Sequence, residues 1–211
     1  MRLLLLFVLS VFSFCSLASA EVQIVDMSVE CNPERDALTR EYSMTHYGMD
    51  IVRITPQAVV VHWTAADTWE STYNWFYSPY RADGTLNVCS QFLVDRDGTI
   101  YRLLDETYLA RHAIGYNWCA IGIENVGGVY NEENLTSEQL NANIELIRYL
   151  HNKYPSIRYV FGHYQQVAAR ESGLYIEHVA GYHSEKADPG PNFMMGLRSN
   201  LSGEGLLFFP E

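Results

Sequence analysis

The stretch that decides the fold is Gln57–Thr64, with the sequence QAVVVHWT. Its run of three valines is too short for a helix and is apolar on both faces, which is typical of a central strand covered by helices. The chain then continues into a predicted helix, with Asp67 as its N-cap and a stop before Pro79. His62 is therefore predicted at a strand-to-helix junction. Ligand sites in open α/β sheets gather at such carboxyl ends of strands.

The first 20 residues have the pattern of a secretory signal. Arg2 precedes an apolar run that ends in Ala18-Ser19-Ala20, a small-residue cleavage site. The run is too short for a comfortable membrane span, which needs about 20 apolar residues. We therefore expect a mature chain that begins at Glu21, is secreted or periplasmic, and keeps no stable membrane anchor.

Charge and length restrict the class of protein. The 14 basic and 25 acidic residues give a formal net charge of −11, which is the wrong sign for a nucleic-acid binder. The mature chain has the length of one domain with its own hydrophobic core, and a monomer is expected. Residues 21–56 are predicted to be an N-terminal extension that holds a short helix and packs onto a domain of residues 57–197. Residues 198–211 are predicted to be a C-terminal tail.

Three cysteines remain after the expected cleavage, namely Cys31, Cys89 and Cys119. An exported set of three allows one disulfide and one free thiol, and the pairing stays open. None of them has CxxC spacing, so a structural zinc cluster is not expected.

The middle of the chain predicts further strands and a helix. Two β-rich runs, Cys89–Val94 and Thr99–Leu104, flank the turn sequence Asp-Arg-Asp-Gly and predict a hairpin. Thr136 and Gln139 have the spacing of a capping box and begin an amphipathic helix that stops before Pro155.

Two apolar runs are predicted to end in chemically active side chains. Ala120–Asn125 carries Glu124 at its end, and Ile157–Phe161 is followed by Gly-His163. A carboxylate that closes an apolar strand must be exposed, paired or functional, because burying it alone is costly. Each group taken singly also fits a solvated or structural position. Together, His62, His163 and Asp188 form a set of two histidines and one carboxylate, which suits tetrahedral zinc with one position open.

The ordered motifs resemble the zinc-dependent N-acetylmuramoyl-L-alanine amidases, a family that also includes phage lysozyme-type amidases and animal peptidoglycan-recognition proteins. The motifs are His-Trp-Thr after a valine strand, Asp-Arg-Asp-Gly-Thr-Ile, Arg-His-Ala, Ile-Gly-Ile-Glu, Gly-His and Lys-x-Asp-Pro-Gly, over about residues 57–193. The resemblance implies an α/β fold with a single mixed sheet flanked by helices. It also implies hydrolysis of the amide bond between N-acetylmuramic acid and L-alanine in peptidoglycan or muropeptides.

The resemblance also implies a role for individual residues. Zinc would be held by His62, His163 and Asp188. Glu124 matches the acidic residue that relatives use to accept the proton of the attacking water. Lys186 matches the basic residue that steadies the developing oxyanion.

A loop before the Glu124 strand is expected to contribute substrate-binding residues. His112 matches a position that lines the groove for glycan and peptide in relatives. Asn117 and Trp118 follow it and are further substrate-binding candidates.

The chain departs from the family pattern at two places. Relatives carry a His or a Tyr-His pair just before the hairpin strand, where this chain has Ser90-Gln91. The segment between His163 and Asp188 is long, and it contains His183 as a rival ligand. We prefer His163 because a strand end holds a side chain more rigidly than a loop does.

Two alternative functions are compatible with parts of the pattern. A non-catalytic peptidoglycan-binding protein keeps the groove but typically lacks one metal ligand, and here all three expected ligands are present. Another exported zinc peptidase would use the same metal chemistry, but the helical His-Glu-x-x-His signature of many zinc peptidases is absent from this sequence.

Overall fold

The structure is a computed structural model that describes residues 22–210, so the predicted signal segment lies outside the described residues. The strands are β1 (Ile24–Asp26), β2 (Ala58–Trp63), β3 (Phe92–Val94), β4 (Ile100–Arg102), β5 (Ala120–Asn125), β6 (Tyr159–Gly162) and β7 (Leu207–Phe208). The α-helices are α1 (Pro33–Tyr47), α2 (Trp69–Tyr77), α3 (Ser137–Lys153) and α4 (Pro191–Leu201). None of the helices between residues 22 and 210 combines the length and the hydropathy that a membrane span requires.

The strands form one mixed sheet in the order β1-β4-β3-β5-β2-β6-β7. β2 lies at its centre and pairs in parallel with β5 on one side and β6 on the other. The predicted hairpin is confirmed, because β3 and β4 pair antiparallel around the Asp95–Gly98 turn. The predicted α/β class with a single mixed sheet flanked by helices is confirmed.

The valine run of β2 is buried on both faces, as the sequence predicts. Val59 and Val61 pack in the larger core with side chains of α3 and α4, such as Leu146 and Leu197. Val60 points to the opposite face, into a smaller cluster. His62 is two residues beyond Val60, so it lies on the side of that smaller cluster.

Capping residues in the sequence predict the starts of two helices with different accuracy. The capping box of α3 is present, since the Thr136 side chain accepts from the Gln139 N–H and the Gln139 side chain accepts from the Thr136 N–H. The expected N-cap of α2 is wrong by one residue. Thr68, not Asp67, has the extended backbone and accepts from the Ser71 N–H.

The chain before β2 contributes more structure than a short helix. β1 pairs with β4 at one edge of the sheet, and α1 runs for 15 residues between an Asn32 N-cap and a left-handed Gly48.

The cysteines expected to allow one disulfide are all free thiols, with Cys31 exposed and the other two buried. At the far edge β7 pairs with β6, so the C-terminal tail also docks on the sheet.

Arg35 of α1 is the largest of the fully buried side chains, with 1% of its surface exposed. Its guanidinium donates from Nε to the Glu30 carbonyl and from one terminal nitrogen to the carbonyls of Phe76 and Tyr77. These last two carbonyls end α2 and have no partner within that helix. A cation there also suits the negative end of the helix dipole. Arg35 therefore fixes the end of α2 against α1.

We predict that Arg35→Met lowers the free energy of unfolding by about 3 kcal/mol, because buried carbonyls lose a charged donor. Urea unfolding followed by circular dichroism measures this. Arg40→Met is the control, since this exposed arginine of the same helix forms its ion pair with exposed Asp50 and its loss should cost well under about 1 kcal/mol. Equal effects of the two substitutions would contradict the role given to Arg35.

Candidate metal and active site

Parallel strand pairing brings the predicted site residues together. His62 of β2 and Glu124 of β5 are direct partners in the register of these two strands. Val61 pairs with Gly162 of β6, so His163 follows at the same edge of the sheet. Asp188 arrives from the loop before α4, where its carbonyl accepts from the backbone N–H of Tyr164.

Three ligand atoms converge at this edge. Nδ1 of His62 lies 3.0 Å from Nδ1 of His163 and 3.1 Å from Oδ2 of Asp188, and Nδ1 of His163 lies 3.2 Å from the same Oδ2. All three residues are buried. Ligands at the usual zinc distances in a tetrahedron are about 3.3 Å apart, so the observed spacing fits a single metal ion. His163 is therefore the second histidine of this site. His183, the rival ligand, is exposed and lines a separate cavity.

The protonation of Asp188 and His163 favours metal binding. Burial opposes ionisation of Asp188, but its close polar contacts with the rings of His163 and His62 still hold the pKa of this carboxyl well below its usual value. Burial, together with the nearby His62, lowers the pKa of His163 to about 4. An ionised carboxylate and a neutral imidazole are the forms that bind metals.

His112 lies directly behind one of these ligands. Its Nδ1 is 3.1 Å from Nε2 of His62, and its Nε2 is 3.2 Å from the carbonyl oxygen of Ala120. Burial, and then the nearby His62, holds the pKa of His112 well below its usual value, so the ring is neutral. If Nε2 of His112 donates to Ala120, its Nδ1 accepts from Nε2–H of His62. Nδ1 of His62 is then left unprotonated toward Asp188.

The close packing of His112 depends on a glycine in β5. A Cβ at Gly122 would lie 2.7 Å from the His112 ring. The Gly122 N–H donates to Oε1 of Gln91, whose Nε2 donates to the Tyr108 carbonyl. Gln91, one of the two residues that depart from the family pattern, therefore braces the strand that carries Glu124.

Glu124 and Lys186 lie on the wall of the same cavity as the ligands. The cavity, of about 680 Å³, is called the metal cavity below and is lined by His62, Glu124, His163, Lys186 and Asp188 among others. Oε2 of Glu124 is buried and has no hydrogen-bond partner among the described residues. Burial and the Asp188 carboxylate raise the pKa of Glu124 well above its usual value, and Lys186 opposes them.

The substrate-binding candidates divide into two groups. His112 lines the metal cavity, in addition to its contact with His62. Asn117 is fully buried, and it accepts from the N–H groups of His112 and Ala113. Trp118 donates its indole N–H to the Leu174 carbonyl. Neither Asn117 nor Trp118 is among the residues that line the metal cavity, so a role of these two residues in substrate binding stays a prediction.

Other residues of the cavity were not singled out from the sequence. Thr72, Trp75 and Phe76 of α2 all line it. Their spacing of three and four residues puts them on one face of the helix. That spacing, directly after the strand that carries His62, is the signal that could have identified them.

We predict that the stability of metal-free Glu124→Gln, compared with that of metal-free wild-type protein, increases as the pH rises. The raised pKa of Glu124 means that the folded chain holds this proton more tightly than the unfolded chain. Its contribution is present below the ordinary pKa and is lost as the pH rises through the folded value, while glutamine stays neutral. Urea unfolding of chelator-treated proteins between about pH 4 and pH 8 measures the difference. A difference that does not change with pH would contradict the burial of the carboxyl group.

Comparisons with known proteins agree with the geometry. The sequence profile of the family described as N-acetylmuramoyl-L-alanine amidase matches residues 53–191. The endolysin of Enterobacteria phage T3 is 31% identical over 111 residues, which are 48% of this chain and 71% of that protein. Matches to two further phage endolysins span about half of those proteins.

Solved structures share the fold. The endolysin amidase LysCS of Clostridium intestinale superposes with a TM-score of 0.55 at 24% identity, over 87% of this chain and 98% of that chain. A peptidoglycan-recognition protein, PGRP-LE, solved in complex with tracheal cytotoxin, gives a TM-score of 0.52 at 17% identity, over 80% of this chain and 94% of that chain. The sequence matches go beyond the fold: this chain belongs to the N-acetylmuramoyl-L-alanine amidase family.

Proposed function

We propose that the protein is an exported zinc amidase that cleaves the bond between N-acetylmuramic acid and L-alanine in peptidoglycan or muropeptides. The observation that carries the proposal is the convergence of His62, His163 and Asp188 on one point, in a cavity that also contains Glu124 and Lys186. Export is supported by the signal pattern of the first 20 residues.

The donor set favours zinc over other common ions. Two imidazole nitrogens and one carboxylate oxygen suit zinc, whereas magnesium and calcium prefer oxygen ligands only. Three protein ligands are also the usual number at a catalytic zinc, which keeps a fourth position open. A bound zinc ion supplies Lewis acidity, which polarises the scissile carbonyl and makes water more acidic.

Glu124 is suited to move the proton. Burial raises its pKa from that of an ordinary carboxyl group, and a general base works best when its pKa is closer to the working pH. Its side chain lines the metal cavity, and its buried Oε2 has no hydrogen-bond partner among the described residues. Lys186 is exposed on the cavity wall and presents a cation to the oxygen on which negative charge develops.

The reaction assigned to these residues balances as a hydrolysis. The oxygen of water adds to the lactyl carbonyl carbon, and Glu124 accepts the proton that this water loses. The bond between carbon and nitrogen then breaks, and Glu124 returns the proton to the leaving nitrogen of L-alanine. The products are a muramoyl carboxylate and a peptide with a free amino terminus.

We predict that the purified protein binds about one zinc ion per chain and loses activity to a chelator. Glu124→Gln should keep the zinc and lose about 10²-fold or more in turnover, because the ligands remain while the proton acceptor is removed. Metal analysis and mass spectrometry of digested muropeptide measure both properties, with Glu145→Gln, at an exposed position of α3, as the control. Cleavage within the peptide stem would point to a peptidase, and zinc-binding protein without cleavage to a binding module.

We predict that His112→Phe weakens zinc binding by about tenfold or more, because His62 loses the partner that orients its ring. Competition with a chromogenic chelator measures the affinity, and His178→Phe, at an exposed position, is the control. The same experiment separates the two roles of His112. A role in substrate binding alone would raise KM and leave the affinity for zinc unchanged.

A further inference from the structure

A long segment without regular structure carries Lys186 to the metal cavity. Between a short 3₁₀ helix, Ala168–Ser172, and the start of α4, the chain has neither helix nor strand. Residues 173–187 of this segment are called the strap below, and Lys186 near their end lies on the wall of the metal cavity. No helix or sheet holds the strap, so its position depends on contacts with the rest of the protein.

His46 of α1 holds the middle of the strap. Its Nδ1 lies 2.9 and 3.0 Å from the two carboxylate oxygens of Glu177. An ionised carboxylate only accepts hydrogen bonds, so the imidazole is the donor. The carbonyl of His46 also accepts from the backbone N–H of His178. The ring and the backbone of one residue thus both fix the strap to α1.

The pair of His46 and Glu177 is buried. Only 11% of the His46 side chain and 4% of the Glu177 side chain are exposed. Oε1 of Glu177 also accepts from the N–H of Val179, so this carboxylate shapes the strap where it turns. A buried carboxylate that loses its partner is costly. Without His46, the strap would have to move to return Glu177 to water.

Tyr182 connects His46 to the wall of the metal cavity. Its ring centroid lies 4.4 Å from that of His46. Its hydroxyl accepts from the guanidinium of Arg111 at 2.9 Å, and Arg111 lines the metal cavity. His46 therefore supports the strap at two points, and the second of them is close in sequence to Lys186.

The third zinc ligand is held by contacts outside the strap. The carbonyl of Asp188 accepts from the N–H of Tyr164, which follows β6. Pro189 packs on the same strand, since a Cβ at Gly162 would lie 2.8 Å from its Cδ. Lys186 precedes these contacts and is exposed. A displaced strap would therefore move Lys186 and leave the ligands in place.

We propose that His46 is a positioning residue for Lys186. Its contacts with Glu177 and Tyr182 fix the strap, so that the ammonium group faces the oxygen on which negative charge develops. His46 does not line the metal cavity, so it acts only through the strap. This inference rests on the proposed amidase function and adds to it a residue that lies before the region matched by the family profile.

The first test is the substitution His46→Phe, which keeps an aromatic ring beside Tyr182 but cannot donate to Glu177. We expect kcat on N-acetylmuramoyl-peptide to fall about tenfold, because a small displacement of a charged group is enough, while KM and the affinity for zinc stay within about twofold. His46→Asn carries an amide donor near the position of Nδ1 and should restore most of kcat.

Glu204→Gln is the matched control. It removes an ion pair with Arg148 of α3, and neither residue lines the metal cavity. Wild-type kcat and zinc affinity are expected for this variant. A fall in zinc affinity that parallels the fall in kcat of His46→Phe would overturn the proposal, because the effect would then lie on the ligands.

A double substitution tests whether His46 acts through Lys186. Lys186→Ala alone should lower kcat, and the addition of His46→Phe should lower it little further, since the group that His46 positions is already absent. Independent losses that multiply in the double variant would overturn the proposal.

Hydrogen exchange followed by mass spectrometry tests the strap without any activity. In His46→Phe we expect faster exchange that is confined to peptides covering residues 173–187, and in Glu204→Gln we expect wild-type exchange there. Unchanged exchange in His46→Phe, or faster exchange throughout the chain, would overturn the proposal. If wild-type protein cleaves no substrate, the amidase function fails, while faster exchange confined to the strap still supports the positioning role of His46.

Discussion

The rest of the structure depends on placing three ligand atoms about 3 Å apart in a buried position. A flexible backbone would not keep two imidazoles and a carboxylate at that spacing, because each side chain would turn toward water or toward a partner of its own. The central parallel strands solve this problem. They fix the backbones of His62 and His163 side by side, and the hydrogen bond from Tyr164 to the Asp188 carbonyl ties the third ligand to the same edge.

Much of this arrangement could be predicted from the sequence because strand ends are local signals. The valine run of β2, the apolar run that carries Glu124 and the Gly-His after β6 each indicate a buried strand with a polar terminus. Parallel pairing then brings those termini to one edge. The fold class and the hairpin follow from the same patterns. The predicted N-cap of α2 is one residue away from the observed one. Asp67 and Thr68 are both good capping residues, and the backbone conformation decides between them.

The parts that could not be predicted depend on contacts between distant segments. Asn117 looks like a groove residue in a loop, yet its side chain is buried between two loop N–H groups and the hydroxyls of Tyr42 and Tyr47 from α1. His112 lines the cavity as expected, but its hydrogen bond to His62 depends on the lack of a side chain at Gly122. No local pattern records either relationship.

Helix α1 has a consequence for how this domain can be divided. The family profile begins at residue 53, after α1 has ended. Nevertheless α1 supports two segments beside the metal cavity. It contacts the end of α2 through Arg35, and it contacts the loop of His112 through the hydrogen bonds of Tyr42 and Tyr47 to Asn117. The boundary of similarity is therefore not a boundary of folding. A shuffled or transplanted version of this domain would have to carry its preceding helix with it to keep a preformed cleft.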